Sequence, residues 1–589
     1  MPDDRTLFVT RRPWLIYLGL ALLLAGSLLP RLGEDVALSS HESYVAVTAR
    51  NMLENRGVVL PDGRRPSPYL IPNFNDEPRL RKPPLPYWIV AGLGRLTGEV
   101  NEWTARLPAV LAAIATALTL AWLVRQQGGR SEGWLAGLTV ATMVGFLLLA
   151  RRAMADMPLA FFTTACCAAM WTACGRQGRK RFAWLTVAGA TGGLAVLTKG
   201  PAAILFLPGP ALVVAGVIAQ NLWRRPQADP QRRADVAWTF RGMLAATLLF
   251  LAISLAWPIY VSARVPEAAS IWKAESIGRA VGDLGREEPV YFYLLRLPVL
   301  VLPWTYFFLH GIGLAIRRVA NNTGDRAWLL FVGAWLLVPL LGFSAAAGKQ
   351  DHYLLPALPA AAVYVAMAMK HLFSPGSPAA ARAARRVGLI HGGAFVAAGV
   401  ATAVYVIHIH AAHQVGGVLL GGLIAAVGIL ATLLAARGRF YSGQVALAVA
   451  ILVALPVAWS TLVGPVDKAT EAERFGRDVA RLVPPDAPLF FFAEDNATVI
   501  FYADRPIPLL TDSETLAAAI LAESDMFVIG RSSPLPQVTP PRRWNLLAFE
   551  GDTAKSVKGL WLFRGTAASD GDLAQQPTPE PAKERSTLP

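Results

Sequence analysis

The stretch LLLARRAMADMPLAFF, residues 147–162, sets Arg151, Arg152 and Asp156 between two apolar runs. A carboxylate within hydrogen-bond reach of a hydroxyl can accept its proton. Guanidinium and ammonium groups suit phosphate, the first as a planar fork of donors and the second as a compact charge. Further cations stand in comparable settings: Arg79, Arg81 and Lys82 in one long loop, Lys199 in LAVLTKGP, and Lys349 in AAAGKQDHYLLPALP. Such a set suits an anionic ligand at a membrane surface, such as a lipid phosphate. Plainer alternatives stand beside this. Asp156 can pair with Arg152, four positions earlier, at a helix end. Each cation can reach lipid headgroups by extending its side chain. Lys199 can be a structural anchor at a span boundary, and His352 an interfacial residue.

The elements that position these groups follow from composition. The chain has 589 residues, 54% hydrophobic and 16% charged, whereas soluble domains carry about 25% charge. Apolar runs near the ~20 residues needed to cross a bilayer recur along it. The runs at 14–30, 107–124, 133–150, 157–174, 182–198, 200–219, 242–263, 290–316, 327–347, 353–369, 387–407, 415–436 and 444–464 predict a polytopic α-helical membrane protein with about 13 transmembrane helices. The break at Lys199, Gly200 and Pro201 reads as either a turn or a kink. With the N-terminus in the cytoplasm, every predicted cytoplasmic loop is basic, GRQGRKR at 175–181 being the densest. That agrees with the preference of Lys and Arg for inside loops. It also explains the net charge of +15 without nucleic acid. Arg151, Arg152, Asp156, Lys199 and Lys349 then fall on the outer face, where that preference disfavours cations. Cys166, Cys167 and Cys174 share one apolar run and read as small buried hydrophobes.

The first outer loop, 31–106, opens with LSSHESYVAVTARNMLENRG, whose spacing predicts an amphipathic helix ended by Gly57. Ser39 and Ser40 are candidate caps. His41 and Glu42 lie in its first turn, where a carboxylate also suits the helix dipole. In RKPPLPYW the prolines block regular helix and the aromatics suit an interface. The segment from Tyr87 to Leu96 suits a second, interfacial helix.

A first span followed by a helix with an acidic position, then KPPLPYW (82–88), NEWTARLPA (101–109), RRAMADMPLAFF (151–162), LAVLTKGP (194–201) and HYLLPALPA (352–360), forms an ordered series. The series resembles bacterial GT-C glycosyltransferases of the aminoarabinose-transferase/protein mannosyltransferase-like superfamily. It covers about residues 14–370, and the span count extends it to about 464. The resemblance implies a GT-C fold and transfer of a sugar from a polyprenyl-phosphate donor to an acceptor hydroxyl at the outer face of the bacterial inner membrane. The acceptor would be a glycolipid such as lipid A, a polysaccharide or a protein. Members place one acid at the start of the first outer loop and another at the outer end of the fourth span. The second corresponds to Asp156. The first is commonly an Asp-Glu pair, and here His41 replaces its first member, leaving Glu42. Asp156, Glu42 and His41 are therefore the candidate catalytic groups. The resemblance makes Lys82 the leading candidate to hold the lipid phosphate, followed by Arg81, Arg152, Lys349 and Tyr353. Fixed cations there would stabilise the leaving phosphate.

Some GT-C enzymes use a divalent metal, but the first outer loop has no DxD, so no cofactor is called for and a metal stays an open alternative. His391, His408, His410 and His413 near the eleventh span have no accompanying carboxylate and read as interfacial residues or polar packing. The outer loop 264–289, with Glu275, Arg279, Arg286, Glu287 and Glu288, reads as either an ordering lid or a solvated linker. After Gly464 the pattern changes to short strands and amphipathic helices. Residues 1–464 form the membrane domain, 465–566 a small α/β extracytoplasmic domain, and 567–589 a disordered tail rich in Pro, Ser, Thr and Gln. A transporter or flippase of a phosphorylated polyprenyl lipid is the alternative from another class. It should show broken spans near the midplane and internal repeats. A catalytically silent lipid-binding relative is the third reading, raised by His41.

Overall fold

The apolar runs form helices whose ends are set by local chemistry. The computed structural model describes residues 14–567 apart from 35, 225, 227–229, 279–280, 282–286, 374–377, 410–413, 460–468, 524, 531–541 and 550–558. Arg279, Arg286, His410, His413 and the tail from 568 lie outside the described residues. Among those described, nine helices are long and apolar enough to cross a membrane, or eleven if two bent pairs each count as one span. The pairs are Arg130–Ala141 with Val144–Ala150, bent by 64°, and Phe292–Leu300 with Thr305–Ala320, bent by 115°. The chain is a multi-pass helical membrane protein with a small sheet-containing region near its C-terminus. The expectation of thirteen spans exceeds this number. Its runs at 14–30 and 200–219 are the shorter helices Trp14–Leu28 and Pro208–Trp223. At the second, the helix Gly178–Lys199 stops, Gly200 takes a φ of 70°, and a 3-10 helix, Gly200–Phe206, follows. The left-handed backbone at Gly200 and the missing N–H of Pro201 end the α-helix there.

The chain divides into two units. The first comprises Met1–Ala37, Thr48–Asn73 and Glu77–Asp467. Its core is aromatic and aliphatic, with Trp304, Trp335, Tyr293, Phe307 and Phe331 fully buried. Helix Gly178–Lys199 lies close along Pro230–Ser262. A Cβ at Gly189 would strike the backbone of Ala246, and one at Gly193 would come within 2.8 Å of Ile253. Small residues at a four-residue spacing permit that approach. Buried cations satisfy carbonyls that regular structure leaves over. Arg106 donates to Leu32, Val36 and Ala37 at 2.8–3.0 Å, and Arg151 donates to Pro30 and Arg31 at 2.9 and 3.0 Å. Three indole N–H groups hold the following loop: Trp88 on Tyr69, Trp257 on Leu70 and Trp272 on Leu80, each at 2.7–2.9 Å.

The second unit comprises Leu38–Val47, Phe74–Asp76 and Lys468–Pro589. Its five-stranded sheet has the order Leu509–Leu510, Leu489–Phe492, Asp525–Gly530, Trp561–Ala567, Arg542–Phe549. The first three strands pair in parallel and the last two pairings are antiparallel. Phe492, Leu516, Ile520, Met526 and Val528 form a core beneath it. The early segment is stitched to the late one. Leu38 N–H donates to the Tyr502 hydroxyl at 3.0 Å, Thr498 Oγ1 donates to Leu38 O at 3.1 Å, and Asn75 exchanges two hydrogen bonds with Ile507.

Candidate active site

Asp156 is the first residue of helix Asp156–Cys174, and Lys199 is the last of Gly178–Lys199. The two helices are antiparallel neighbours joined by a three-residue turn at 175–177, so the ends that carry Asp156 and Lys199 meet. Lys199 Nζ donates to Asp156 Oδ1 at 2.5 Å, with side chains 10% and 2% exposed. The helix-end alternative, Asp156 with Arg152, is not what forms. An ion pair this buried loses much of its hydration, and tight geometry must compensate.

Two further segments close on this pair. Lys199 Nζ lies 4.9 Å from the centroid of the Tyr353 ring, in the 3-10 helix Asp351–Ala357. That cation–π contact gives the ammonium a second partner. The His352 ring stands perpendicular to Tyr353 at 5.0 Å. From the other side, Pro83 ring atoms lie 3.7–3.8 Å from where a Cβ on Gly200 would be. The KPP and TKGP segments therefore touch. Burial pushes the Lys82 ammonium down from the usual lysine range to about 8; Lys199 and Arg79 add to this, while Asp156 and Glu275 oppose it. Three cations thus face two carboxylates, and a phosphate entering here would balance the excess charge.

The other candidates have settings of their own. Arg81 is exposed beside Lys82. Arg152 stacks on Trp459, 5.8 Å from the ring centroid, where Arg151 also lies at 5.2 Å. Lys349 is 3% exposed, and its ammonium donates to Glu288 O at 2.6 Å and Ala346 O at 2.5 Å. It fastens the end of the 264–289 loop, whose Glu287 bridges Gly348. In the second unit, Glu42 is fully buried and its Oε2 accepts from Ser39 N at 3.0 Å and Ser39 Oγ at 2.8 Å. That is the reciprocal half of a capping box. His41 is exposed in the same turn. Among the described residues no group of three or more His, Cys, Asp or Glu could hold a metal. His391 contacts Gln444 Oε1 at 2.6 Å and Pro303 O at 3.2 Å.

Lys199 stands out in the sequence at the end of an apolar run, but nothing there gives it Asp156 as partner. Arg79 stood out in the sequence as a cation three residues before Lys82, whereas nothing there tied Glu275 to Lys82, on which it acts through tertiary proximity.

The family model described as dolichyl-phosphate-mannose-protein mannosyltransferase matches residues 74–268. An uncharacterized protein of Aquifex aeolicus is 29% identical over 57% of this chain and 60% of its own length. An undecaprenyl phosphate-alpha-4-amino-4-deoxy-L-arabinose arabinosyl transferase of Shewanella sediminis is 27% identical over 52% of this chain and 53% of its own. One of the same description from Pseudomonas aeruginosa is 29% identical over 56% and 59%. This chain therefore spans less than two thirds of the length of these curated relatives. The crystal structure of ArnT from Cupriavidus metallidurans bound to undecaprenyl phosphate superposes with a TM-score of 0.71 at 19% identity, covering 94% of this chain and 98% of that one. The two chains share a fold.

Proposed function

We propose, from the premise that this chain belongs to the aminoarabinose-transferase/protein mannosyltransferase-like GT-C superfamily, that it transfers a sugar from a polyprenyl-phosphate donor to an acceptor hydroxyl. The observation that carries the reading is the buried Asp156–Lys199 pair closed over by Tyr353 and the Lys82 segment. In the reaction, the acceptor oxygen attacks the anomeric carbon. The bond from that carbon to the phosphate oxygen breaks, and its electron pair leaves with the phosphate. Lys82, with Lys199 behind it, offsets the charge that grows there. Asp156 orients the acceptor hydroxyl and takes its proton; Glu42 and His41 are the alternative bases. Direct displacement inverts the anomeric carbon.

The names of the curated relatives favour an aminopentose donor on undecaprenyl phosphate; the acceptor would be a glycolipid such as lipid A, a polysaccharide or a protein. The basic loops favour a bacterial inner-membrane orientation with the N-terminus in the cytoplasm and the segment 465–566 outside, where it would contact the acceptor or add stability. Arg81, Arg152, Lys349 and Tyr353 remain proposed phosphate contacts, with Tyr353 nearest the ion pair.

The test is sugar transfer from labelled membrane polyprenyl-phosphate donors, aminopentose and hexose separately, at matched folded protein. Asp156→Asn should lower transfer by about 100-fold, the scale of a lost general base, while polyprenyl-phosphate binding persists. Retained transfer in Asp156→Asn, or lipid binding by wild type with no transfer to any membrane acceptor, defeats the proposal.

A further inference from the structure

The site above occupies one end of a helix pair, and the other end has a charged surface of its own. Helices Asp156–Cys174 and Gly178–Lys199 each run roughly 30 Å at 1.5 Å per residue, so Gly178 lies at the far end from Asp156. Helix Pro230–Ser262 begins at that same end, because Asp235 Oδ1 accepts from Gly178 N at 2.8 Å and Arg181 donates to Thr239 Oγ1 at 2.9 Å. There Trp238 receives two guanidiniums: Arg179 lies 5.5 Å and Arg241 5.2 Å from its ring centroid. Both arginines are exposed. Among the described residues neither has a carboxylate partner, in contrast to Arg318 with Asp325 and Lys370 with Glu132. Asp235, the acid on the same helix, is buried and holds the Gly178 N–H.

Toward the middle of the same helix the chemistry changes. Phe240, Leu244, Leu248, Leu251, Leu255 and Ile259 are 42–68% exposed and recur at helical spacing. A stripe of this kind faces acyl chains, and an aromatic flanked by cations at its end sits at headgroup level.

We propose that Arg179, Trp238 and Arg241 form a binding site for an anionic phospholipid headgroup, whose acyl chains follow the apolar stripe of helix Pro230–Ser262. The indole holds the two guanidiniums by cation–π contact, which leaves their N–H edges for a phosphodiester. A zwitterionic headgroup fits less well, since its own cation is repelled. The site is independent of the sugar-transfer reading and lies at the opposite end of the helices from Asp156.

The experiment is native mass spectrometry of the purified full chain in detergent, titrated with phosphatidylglycerol or phosphatidylcholine. Wild type should retain phosphatidylglycerol in preference. Arg179→Gln with Arg241→Gln should weaken that retention about twentyfold, near fivefold for each cation removed. Arg317→Gln with Arg318→Gln, at another helix end, should leave it unchanged. If the first double variant does not fold, Arg241→Gln alone should show the fivefold loss. Equal retention of the two lipids by wild type, or equal losses in the two double variants, overturns the proposal.

Discussion

Lys199 and Lys349 look alike in the sequence, each a cation beside the end of an apolar run, and the structure uses them differently. Lys199 reaches a carboxylate 43 positions away, while Lys349 spends its donors on two carbonyls. Residue type and placement at a span end were legible; the partner was not, because it is set by which helix ends meet. Removing either member of the Asp156–Lys199 pair leaves a buried charge alone. Asp156→Asn and Lys199→Met should each cost about 3 kcal/mol, and the double variant much less than their sum. Denaturant unfolding in detergent checks this; additive losses would mean that the pair is not coupled. Lys82 gives a pH dependence. With its ammonium at about 8, a phosphate that needs the charged form raises that value on binding. Affinity for a polyprenyl phosphate should therefore be level below about 8. Above it, affinity should fall by up to about tenfold per pH unit until the bound-state value is passed. Lys82→Arg, always charged, should abolish this slope in a binding titration.

At the scale of elements, the contact between Gly178–Lys199 and Pro230–Ser262 rests on absent side chains. Gly189→Ala places a methyl against the Ala246 backbone. It should lower the detergent melting temperature, with a cost of about 1–3 kcal/mol for overpacking. Gly216→Ala, with open space around its Cβ position, should be neutral or slightly stabilising. Equal melting temperatures for the two variants would refute the close-packed seam. Helix positions were readable from hydropathy because each span buries or exposes a long apolar run. The count was harder: Gly200 and the bends at 141–144 and 300–305 divide runs that look uniform in composition. Glu42 was recognisable as a first-turn acid; its carboxylate accepts from both the N–H and the hydroxyl of Ser39, so the acid supplies the acceptor at the helix start that the sequence had assigned to Ser39 or Ser40.

On the scale of the whole molecule, the second unit draws on both halves of the chain. The shift in composition near Gly464 was visible in the sequence. The recruitment of Leu38–Val47 and Phe74–Asp76 was not, since nothing in a short polar loop names a partner over 400 positions later. Tyr502→Phe removes the acceptor for Leu38 N–H and should cost about 1–3 kcal/mol for a buried donor left unpaired. Unfolding followed by hydrogen exchange at Leu38 reads this directly, and unchanged protection there would show that the bond contributes nothing. The same stitch has a consequence in time. Leu38 leaves the ribosome 464 residues ahead of Tyr502 and 460 ahead of Thr498. At about 5–20 residues per second, the early segment waits roughly 20–90 seconds for its partners. Throughout that interval the Leu38 amide and carbonyl must be satisfied by water or by a chaperone. A transcript cut short anywhere before codon 498 therefore yields a chain in which Leu38 never acquires these bonds, so an early segment of the protein reports whether a much later one was made.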